Sequence, residues 1–247
     1  MPTREEQFQL IVDAYNEREK EAARNRLLDQ KREAAARARP IYTVAYERWR
    51  HATQGHAAAE LRIRDRLAIG LGEDDVLEVG VSLHHTYGTP LIRGSALKGL
   101  AAHYCDRVWG AKDAGWRAGR DNYRVLFGDT TSAGFIAFHD AWITPNSLSG
   151  PALVKDVMTP HHSGYYMSIG QTAPTDFDDP NPVTFLAISG MFRVVVESAV
   201  SGGDGQAWAN RSLELVIEAL RYWGVGAKTN SGYGRLDESG SSPARQA

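Results

Sequence analysis

Several features common in secreted and membrane proteins are missing from this sequence. It has one cysteine, Cys105, among 247 residues, which excludes an intrachain disulfide and a cysteine-based zinc site and favours a reducing compartment. No stretch approaches the roughly 20 consecutive apolar residues of a membrane-spanning helix, and residues 1–20 lack the apolar core of a secretory signal. We therefore expect a cytoplasmic protein with no membrane association.

An excess of charge of one sign is also missing. The chain has 28 lysines and arginines against 30 aspartates and glutamates, a formal net charge of −2, with 43% hydrophobic residues. This is ordinary globular composition, and the overall charge argues against a protein that binds nucleic acid by itself. However, residues 93–98 and 219–235 contain no acidic side chain, and their basic ones are Arg93, Lys98, Arg221, Lys228 and Arg235. The composition therefore still allows a subunit that shares RNA with partners.

The N-terminal 40 residues predict a helical extension. They contain no glycine, are rich in alanine, glutamate, arginine and leucine, and end at Pro40. Residues 24–39 carry six basic and two acidic side chains. We favour a solvated helix stabilised by ion pairs between neighbouring turns. A basic arm that lies on phosphates is the alternative, and composition does not choose between them.

Hydrophobic patterning along the rest of the chain predicts an α+β fold. The expected elements are a helix over 44–63, a strand over 76–83, a helix capped by Ser95, strands at 135–143 and 192–197, a helix at 212–223 and a short strand at 235–236. Their order is that of a ferredoxin-like (RRM-like) βαββαβ domain.

Long loop insertions interrupt this predicted domain. Residues 144–185 hold six of the ten prolines and show no periodicity, so we expect a long connection without its own elements. The predicted organisation is an N-terminal helical extension at 1–69, an RRM-like domain at 70–237 and a disordered tail at 238–247.

Two segments combine glycine with hydrogen-bond donors. In the first, residues 92–104, Gly94 permits a tight turn and Ser95 can satisfy a free backbone amide. Arg93 and Lys98 add positive charge beside a helix N-terminus, which attracts anions. An ordinary serine-capped helix with two solvated cations explains the same residues, so both interpretations stay open.

The second segment is WGVGAKTNSGYGR, residues 223–235. A P-loop is excluded because Ala227 precedes Lys228 and only 19 residues follow this lysine, and a dinucleotide fingerprint is excluded because the helix comes before the loop. What remains is a flexible cationic loop that can approach a phosphate backbone closely. Tyr233 either stacks on a base or packs on the final strand. The other candidate RNA contacts are Gly226, Lys228, Thr229, Asn230, Ser231 and Arg235.

Paired histidines form a third candidate group. His84 and His85, with His161 and His162, could supply a metal site or a general base together with Asp156, Asp176, Asp178 and Asp179. None shows the i, i+4 spacing of a helical zinc site, so we expect no metal, no cofactor and no catalysis. The four histidines are retained as a second set of candidate RNA contacts.

Six segments occur in the order found in one known superfamily, and they span roughly residues 70–237: 77–88, 91–100, 134–145, 156–166, 182–187 and 223–235. Together they resemble the RAMP superfamily, whose marks are the GSALKG helix start and the C-terminal glycine-rich loop. DVMTPHHSGYY and PVTFLA resemble, within it, the family of sixth subunits of type III-B CRISPR (Cmr) effector complexes.

The resemblance implies a non-catalytic subunit of an RNA-guided antiviral complex, with target cleavage in other subunits. It implies a position near the 3′ end of the guide RNA, capping the filament of backbone subunits. The implied partners are guide and target RNA, the backbone subunit, the 3′-end RAMP subunit and the small helical subunit. Since such a complex holds many guide sequences, we expect contacts to RNA backbone phosphates.

Two other functions remain as alternatives. One is a ribonuclease that uses the loop histidines with Asp156. The other is a structural adaptor whose surface contacts only proteins. Cleavage by the isolated chain would indicate the first, and an absence of RNA crosslinks to the two glycine-bearing segments would indicate the second.

Overall fold

The computed structural model describes Thr3 and residues 17–71, 80–159 and 182–238. The helices are α1 (Glu17–Arg37), α2 (Arg39–Ala52), α3 (Gly94–Tyr104), α4 (Asp121–Phe127) and α5 (Gly203–Tyr222). The strands are β1 (Ala57–Ile63), β2 (Leu91–Ile92), β3 (Ile136–Phe138), β4 (Ala141–Ile143), β5 (Leu153–Met158), β6 (Val183–Ile188), β7 (Met191–Ser198) and β8 (Leu236–Glu238). A π-helical turn, Cys105–Trp109, continues α3, and short 3-10 turns occupy Ala114–Trp116, Pro145–Ser149 and Thr229–Ser231.

Six strands form one antiparallel sheet in the order β2-β4-β7-β1-β8, with β3 also paired to β7. The strands β3 and β4 lie end to end along β7, because Ile136 pairs with Ser198 and Ile143 with Phe192. The segment that contains β3 and β4 uses eight residues (136–143) opposite seven residues of β7 (192–198). His139 and Asp140 therefore form a β-bulge, which turns their side chains out of the regular alternation.

The two faces of the sheet are covered by different helices. Leu61 and Phe192 are fully buried, and they lie on the face where α3 and α5 pack. Side chains alternate along a strand, so Trp142 points to the other face, where Trp49 of α2 stacks on it with ring centroids 5.1 Å apart. The hydroxyl of Tyr42 donates to the carbonyl of Ile143 at 2.6 Å and fixes α2 there.

The helix α1 packs on a second, two-stranded sheet made of β5 and β6. Its Leu27 and Leu28 are buried, and Arg32 Nε donates to the carbonyl of Leu153 at 3.0 Å. Asp29 accepts from Lys155 Nζ at 2.7 Å. The prediction of a solvated helix is therefore wrong for one face of α1. The apolar side chains of this face pack against β5 and β6 and are not exposed to solvent.

The helix predicted over 44–63 is wrong after Ala52. Gly55 adopts a left-handed φ of 93° and the chain then enters β1, which pairs with β7 on one side and β8 on the other. The alanines at the start of this strand favour a helix locally, but pairing on both edges outweighs their propensity. The sheet thus includes a strand from the segment assigned to the N-terminal extension.

Several other predicted boundaries differ from the structure. Pro40 lies in the first turn of α2, where its missing N–H is tolerated, although α1 does end just before it. The predicted connection at 144–185 contains β5 and the start of β6. Of the strand predicted over 76–83, residues 80–83 form only an isolated bridge, between Leu83 and Pro90. Residues 1–2, 4–16, 72–79, 160–181 and 239–247, with the predicted tail, lie outside the described residues.

Helices of the described ranges are all too short or too polar to cross a bilayer.

Candidate nucleic-acid interface

The glycine-rich loop, residues 223–235, is held by backbone hydrogen bonds and is not the flexible segment that its composition predicts. Ala227 N–H donates to the carbonyl of Ala68 at 2.7 Å, and Val225 N–H donates to that of Gly234 at 2.9 Å. A Cβ on Gly226 would lie 2.3 Å from the Ala68 carbonyl oxygen, so only glycine permits this approach. The loop therefore presents its side chains from a defined backbone.

Lys228 has a left-handed backbone, with a φ of 60°. It precedes the 3-10 turn of the loop, and its carbonyl accepts from Ser231 N–H at 2.9 Å and Tyr233 N–H at 3.3 Å. Left-handed φ is costly for a residue with a Cβ and is often found at functional sites. The Lys228 ammonium lies 5.9 Å from the Phe185 ring centroid, which places its charge above β6.

Tyr233 joins the loop to the small sheet. Its hydroxyl donates to Asp156 Oδ2 at 2.6 Å, and its ring centroid is 6.2 Å from that of Phe185. Burial, followed by the hydrogen bond to Asp156, raises the pKa of Tyr233 to about 12. Tyr233 thus packs against β5 and β6 and not only on the final strand. Stacking of its ring on a base would require the contacts with Asp156 and Phe185 to break.

A cavity of about 390 Å³ lies where the glycine-rich loop meets α3. Its lining includes Leu100 of α3 and Trp223, Thr229, Asn230 and Arg235 of the loop, and none of its described lining residues is a carboxylate. The Nε atom of Arg235 is buried and has no hydrogen-bond partner within the described residues. The two predicted segments therefore meet on one side of the protein, at a site rich in donors.

The N-terminus of α3 differs from its prediction. The residue at the cap position is Arg93, whose side chain makes no capping bond, so the prediction that Ser95 caps the helix is wrong. Asp140 of the β-bulge supplies the acceptor instead, at 2.6 Å from the Gly94 nitrogen. A carboxylate of the protein thus occupies the position expected for an anion, while Arg93, Ser95 and Lys98 are exposed beside it.

The two histidine candidates that the structure describes, His84 and His85, are not arranged for chemistry. The His84 ring packs 4.7 Å from both Tyr87 and Trp142, and its Nδ1 accepts from Thr86 N–H at 3.2 Å. Burial lowers the pKa of His84, which favours the neutral ring. His85 is exposed, whereas His161 and His162 lie outside the described residues. Within the described ranges, no group of three or more histidine, cysteine, aspartate or glutamate side chains is placed to hold a metal ion.

A row of arginines in LRIRDRL, residues 61–67, was not predicted, because the helix predicted over 44–63 includes the start of this segment. Buried Leu61, Ile63 and Leu67 alternate with Arg62 and Arg64. This alternation is itself the strand signal that would have placed the arginines on one face of the chain.

The fold and the two donor-rich segments define the class of the protein. A sequence model of the RAMP superfamily matches residues 60–237, and the chain belongs to this superfamily.

Comparisons with individual proteins show a more specific similarity, to subunits of Cmr complexes. The chain is similar to the CRISPR system Cmr subunit Cmr6 of Pyrococcus furiosus, with 29% identity over 230 residues that cover 72% of this chain and 67% of the relative. A chain of the type III-B Cmr-beta complex bound to cognate target RNA has the same fold, with a TM-score of 0.62 and 21% identity over 90% of this chain and 75% of that one. The crystal structure of Cmr6 from Pyrococcus furiosus matches with a TM-score of 0.47 and 26% identity, over 74% of this chain and 97% of that one.

Proposed function

We propose that this protein is a non-catalytic, RNA-binding assembly subunit of a type III-B Cmr effector complex. The observation that carries the proposal is the cavity between α3 and the glycine-rich loop, where Arg235 Nε is buried without a partner among the described residues. Thr229 and Asn230 add hydrogen-bonding groups to the same lining. A donor-rich site without carboxylates favours a ligand that supplies acceptors, as RNA phosphates do.

The packing of α2 on the sheet favours RNA binding through phosphates over base stacking on the sheet. RRM-type domains stack bases on aromatic rings of the open sheet face. Here Trp142 of β4 is stacked against Trp49 of α2, and Tyr42 packs 5.7 Å from the same ring. Because these rings are covered, bases have no aromatic ring of the sheet on which to stack, and we expect binding through phosphates with little dependence on base sequence.

The proposal also includes the type of domain, the position in the complex, the partners and the cellular location. The order β4-β7-β1-β8, with α3 and α5 on one face, supports a ferredoxin-like domain that begins at β1 and so extends N-terminal to the assigned 70–237 region. Similarity to Cmr6 supports a position that caps the backbone filament near the guide 3′ end, with guide and target RNA, the backbone subunit, the 3′-end RAMP subunit and the small helical subunit as partners. A buried free thiol at Cys105 agrees with a cytoplasmic location.

The experiment compares Arg235→Ala, which changes the lining of the cavity, and Lys228→Ala of the same loop with Lys112→Ala, an exposed lysine beyond α3, in binding of a fluorescein-labelled single-stranded RNA to the full chain. We expect the first two substitutions to weaken binding equally for unrelated base sequences. Each lost single-strand phosphate contact reduces the slope of log K against log salt by about 0.7, and Lys112→Ala leaves it unchanged. Wild-type binding by both site variants would show that the site is assigned wrongly.

The ribonuclease alternative receives no support from the described residues. His84 is packed among aromatic rings, and Asp156 accepts the hydroxyl of Tyr233. We expect no RNA cleavage by the purified chain, with or without divalent metal. Crosslinks from RNA to the glycine-rich loop in the assembled complex would separate the proposal from a purely structural adaptor.

A further inference from the structure

A second and larger cavity lies on the sheet face that α2 covers. Its volume is about 830 Å³, and its walls are α2, the end of β1, the start of β7 and the 3-10 turn that begins at Pro145. We name it the α2 groove. It shares no lining residue with the cavity at the glycine-rich loop, so it is a separate site.

Four arginines line the α2 groove. Arg62, Arg64 and Arg66 come from the end of β1 and the segment that follows it, and Arg50 reaches the groove from α2. Arg62 belongs to β1, where its neighbours Leu61 and Ile63 are buried, and Arg64 and Arg66 follow the end of this strand. All three side chains line the groove.

Two of these arginines retain free donors. Arg50 is paired with Glu47 at 2.7 Å, and Arg64 is paired with Asp237 at 2.8 Å. Within the described residues Arg62 has no side-chain partner, and the only bond from the Arg66 guanidinium goes to the carbonyl of Asp65, at 3.0 Å.

The acidic side chains of the groove offset most of this charge. Four arginines stand against three carboxylates in the described lining, Glu47, Glu60 and Asp65, so its formal charge is +1, and Glu47 is paired with Arg50. A guanidinium group with unpaired N–H donors binds carboxylates or phosphates in bidentate geometry. The groove can therefore accept an anionic group through the donors of Arg62 and Arg66.

The hydroxyl of Tyr46 is a further unpaired group of the groove wall. Tyr46 is 3% exposed, and its hydroxyl has no hydrogen-bond partner among the described residues. Leaving a buried polar group unpaired costs folding free energy. Because Tyr46 lines the groove, a ligand bound there could supply the missing hydrogen-bond partner of this hydroxyl.

We propose that the α2 groove binds a segment of single-stranded RNA, as a continuation of the surface at the glycine-rich loop; this inference rests on the proposed RNA-binding function. Arg66 connects the two sites, because its carbonyl accepts from Gly234 N–H at 2.7 Å while its side chain lines the groove. Arg62, Arg66 and the Tyr46 hydroxyl face the phosphates. Among the described lining residues Tyr46 is the one aromatic side chain, and it is buried, so we expect no base stacking in the groove.

The decisive variant is Arg62→Ala/Arg66→Ala in the full chain, titrated with a fluorescein-labelled uridine homopolymer over a series of salt concentrations. We expect Kd to rise about tenfold and the salt slope to fall by about 1.4, which is 0.7 for each lost contact. The matched control is Arg26→Ala/Arg48→Ala, which removes the same charge from exposed positions outside the groove and leaves both quantities at wild-type values. Equal effects in the two double variants, or none in either, would overturn the proposal.

Tyr46→Phe supplies an independent measurement. Since the hydroxyl has no partner in the free protein, its removal leaves the thermal midpoint unchanged or higher, whereas RNA binding weakens between about twofold and tenfold. A lower midpoint together with unchanged RNA affinity would show that the hydroxyl serves only the fold, and would contradict the proposal.

Lys228→Ala in the same titration separates the two proposals. If it weakens RNA binding and the arginine double variant does not, the groove assignment fails while the loop assignment stands. If wild-type protein does not bind the homopolymer at all, the proposed function itself fails. Poly-L-glutamate tests the other class of occupant: loss of its binding in the double variant, with RNA affinity retained, would assign the groove to an acidic protein segment.

Discussion

The Tyr233 hydroxyl donates a 2.6 Å hydrogen bond to Asp156 Oδ2, which ties the glycine-rich loop to β5. The two residues are 77 positions apart in the chain. The contact gives the loop a fixed position relative to the small sheet that α1 covers. It also engages a carboxylate that would otherwise face the loop's cations.

Tyr233→Phe tests this tie. The change leaves Asp156 without its donor, and because both groups are half-buried we expect the free energy of unfolding to fall by about 1 kcal/mol. Urea denaturation measures the difference as a lower midpoint at constant m-value. Tyr222→Phe is the control, because Tyr222 is exposed, and equal midpoints for Tyr233→Phe and wild type would contradict the prediction.

Alkaline pH gives a second test of the same tyrosine. Burial and Asp156 raise the pKa of Tyr233 to about 12, above its ordinary value of about 10. Its contribution to stability is therefore complete below about pH 10 and is lost as the pH rises toward 12.

Urea midpoints measured across this range should fall less steeply for Tyr233→Phe than for wild type. The decline does not vanish, because burial also raises the pKa of Tyr46 and of Tyr104 to about 12. Parallel curves for the two proteins would show that the Tyr233 proton is not linked to folding.

Two glycines of α3 make a matched pair. A Cβ on Gly94 would lie 2.1 Å from the Phe138 carbonyl oxygen, whereas a Cβ on Gly99 would meet no atom within 4 Å. Gly94→Ala must displace backbone, so we expect a loss of stability of about 1–3 kcal/mol. Gly99→Ala should raise stability by about 1 kcal/mol, because alanine is the better helix former. Thermal denaturation compares the two, and the same sign for both changes would contradict the close approach at Gly94.

Asp140 provides a test of how α3 begins. Its carboxylate accepts from Gly94 N–H at 2.6 Å and faces the positive end of the helix dipole. We expect Asp140→Ala to lower the free energy of unfolding by about 1 kcal/mol.

Asp140→Asn keeps an acceptor without the charge and should lose about half as much. Differential scanning calorimetry at low salt measures both variants. If Asp140→Ala melts like wild type, the helix N-terminus does not depend on the bulge.

Regular periodicity was sufficient for much of the fold. The strand predicted at 192–197 corresponds to β7 and the helix at 212–223 to the second half of α5, because each carries a long apolar pattern of one period. The strand β1 was missed because its alanines favour a helix locally, and only its partners on both sides supply the energy of strand pairing.

The candidate site divides in a similar way. Residue types and spacing were enough to single out the glycine-rich loop and the start of α3 as donor-rich segments. Local sequence does not specify which of these donors already form hydrogen bonds within the protein. Asp140 reaches Gly94 only because of a bulge in the β3–β4 strand, and Asp156 reaches Tyr233 only because β5 packs beside the loop.

The sequence by itself determined the family, the mixed α+β composition and the two glycine-bearing segments that are rich in hydrogen-bond donors, since these depend on residue type and short-range spacing. The tertiary structure alone decided which groups remain available to a ligand. Hydrogen bonds and salt bridges between residues distant in the chain consume some donors and leave others, such as Arg62 and Arg235 Nε, without a partner among the described residues. This availability depends on the pairing of strands and the packing of helices, which no local pattern encodes.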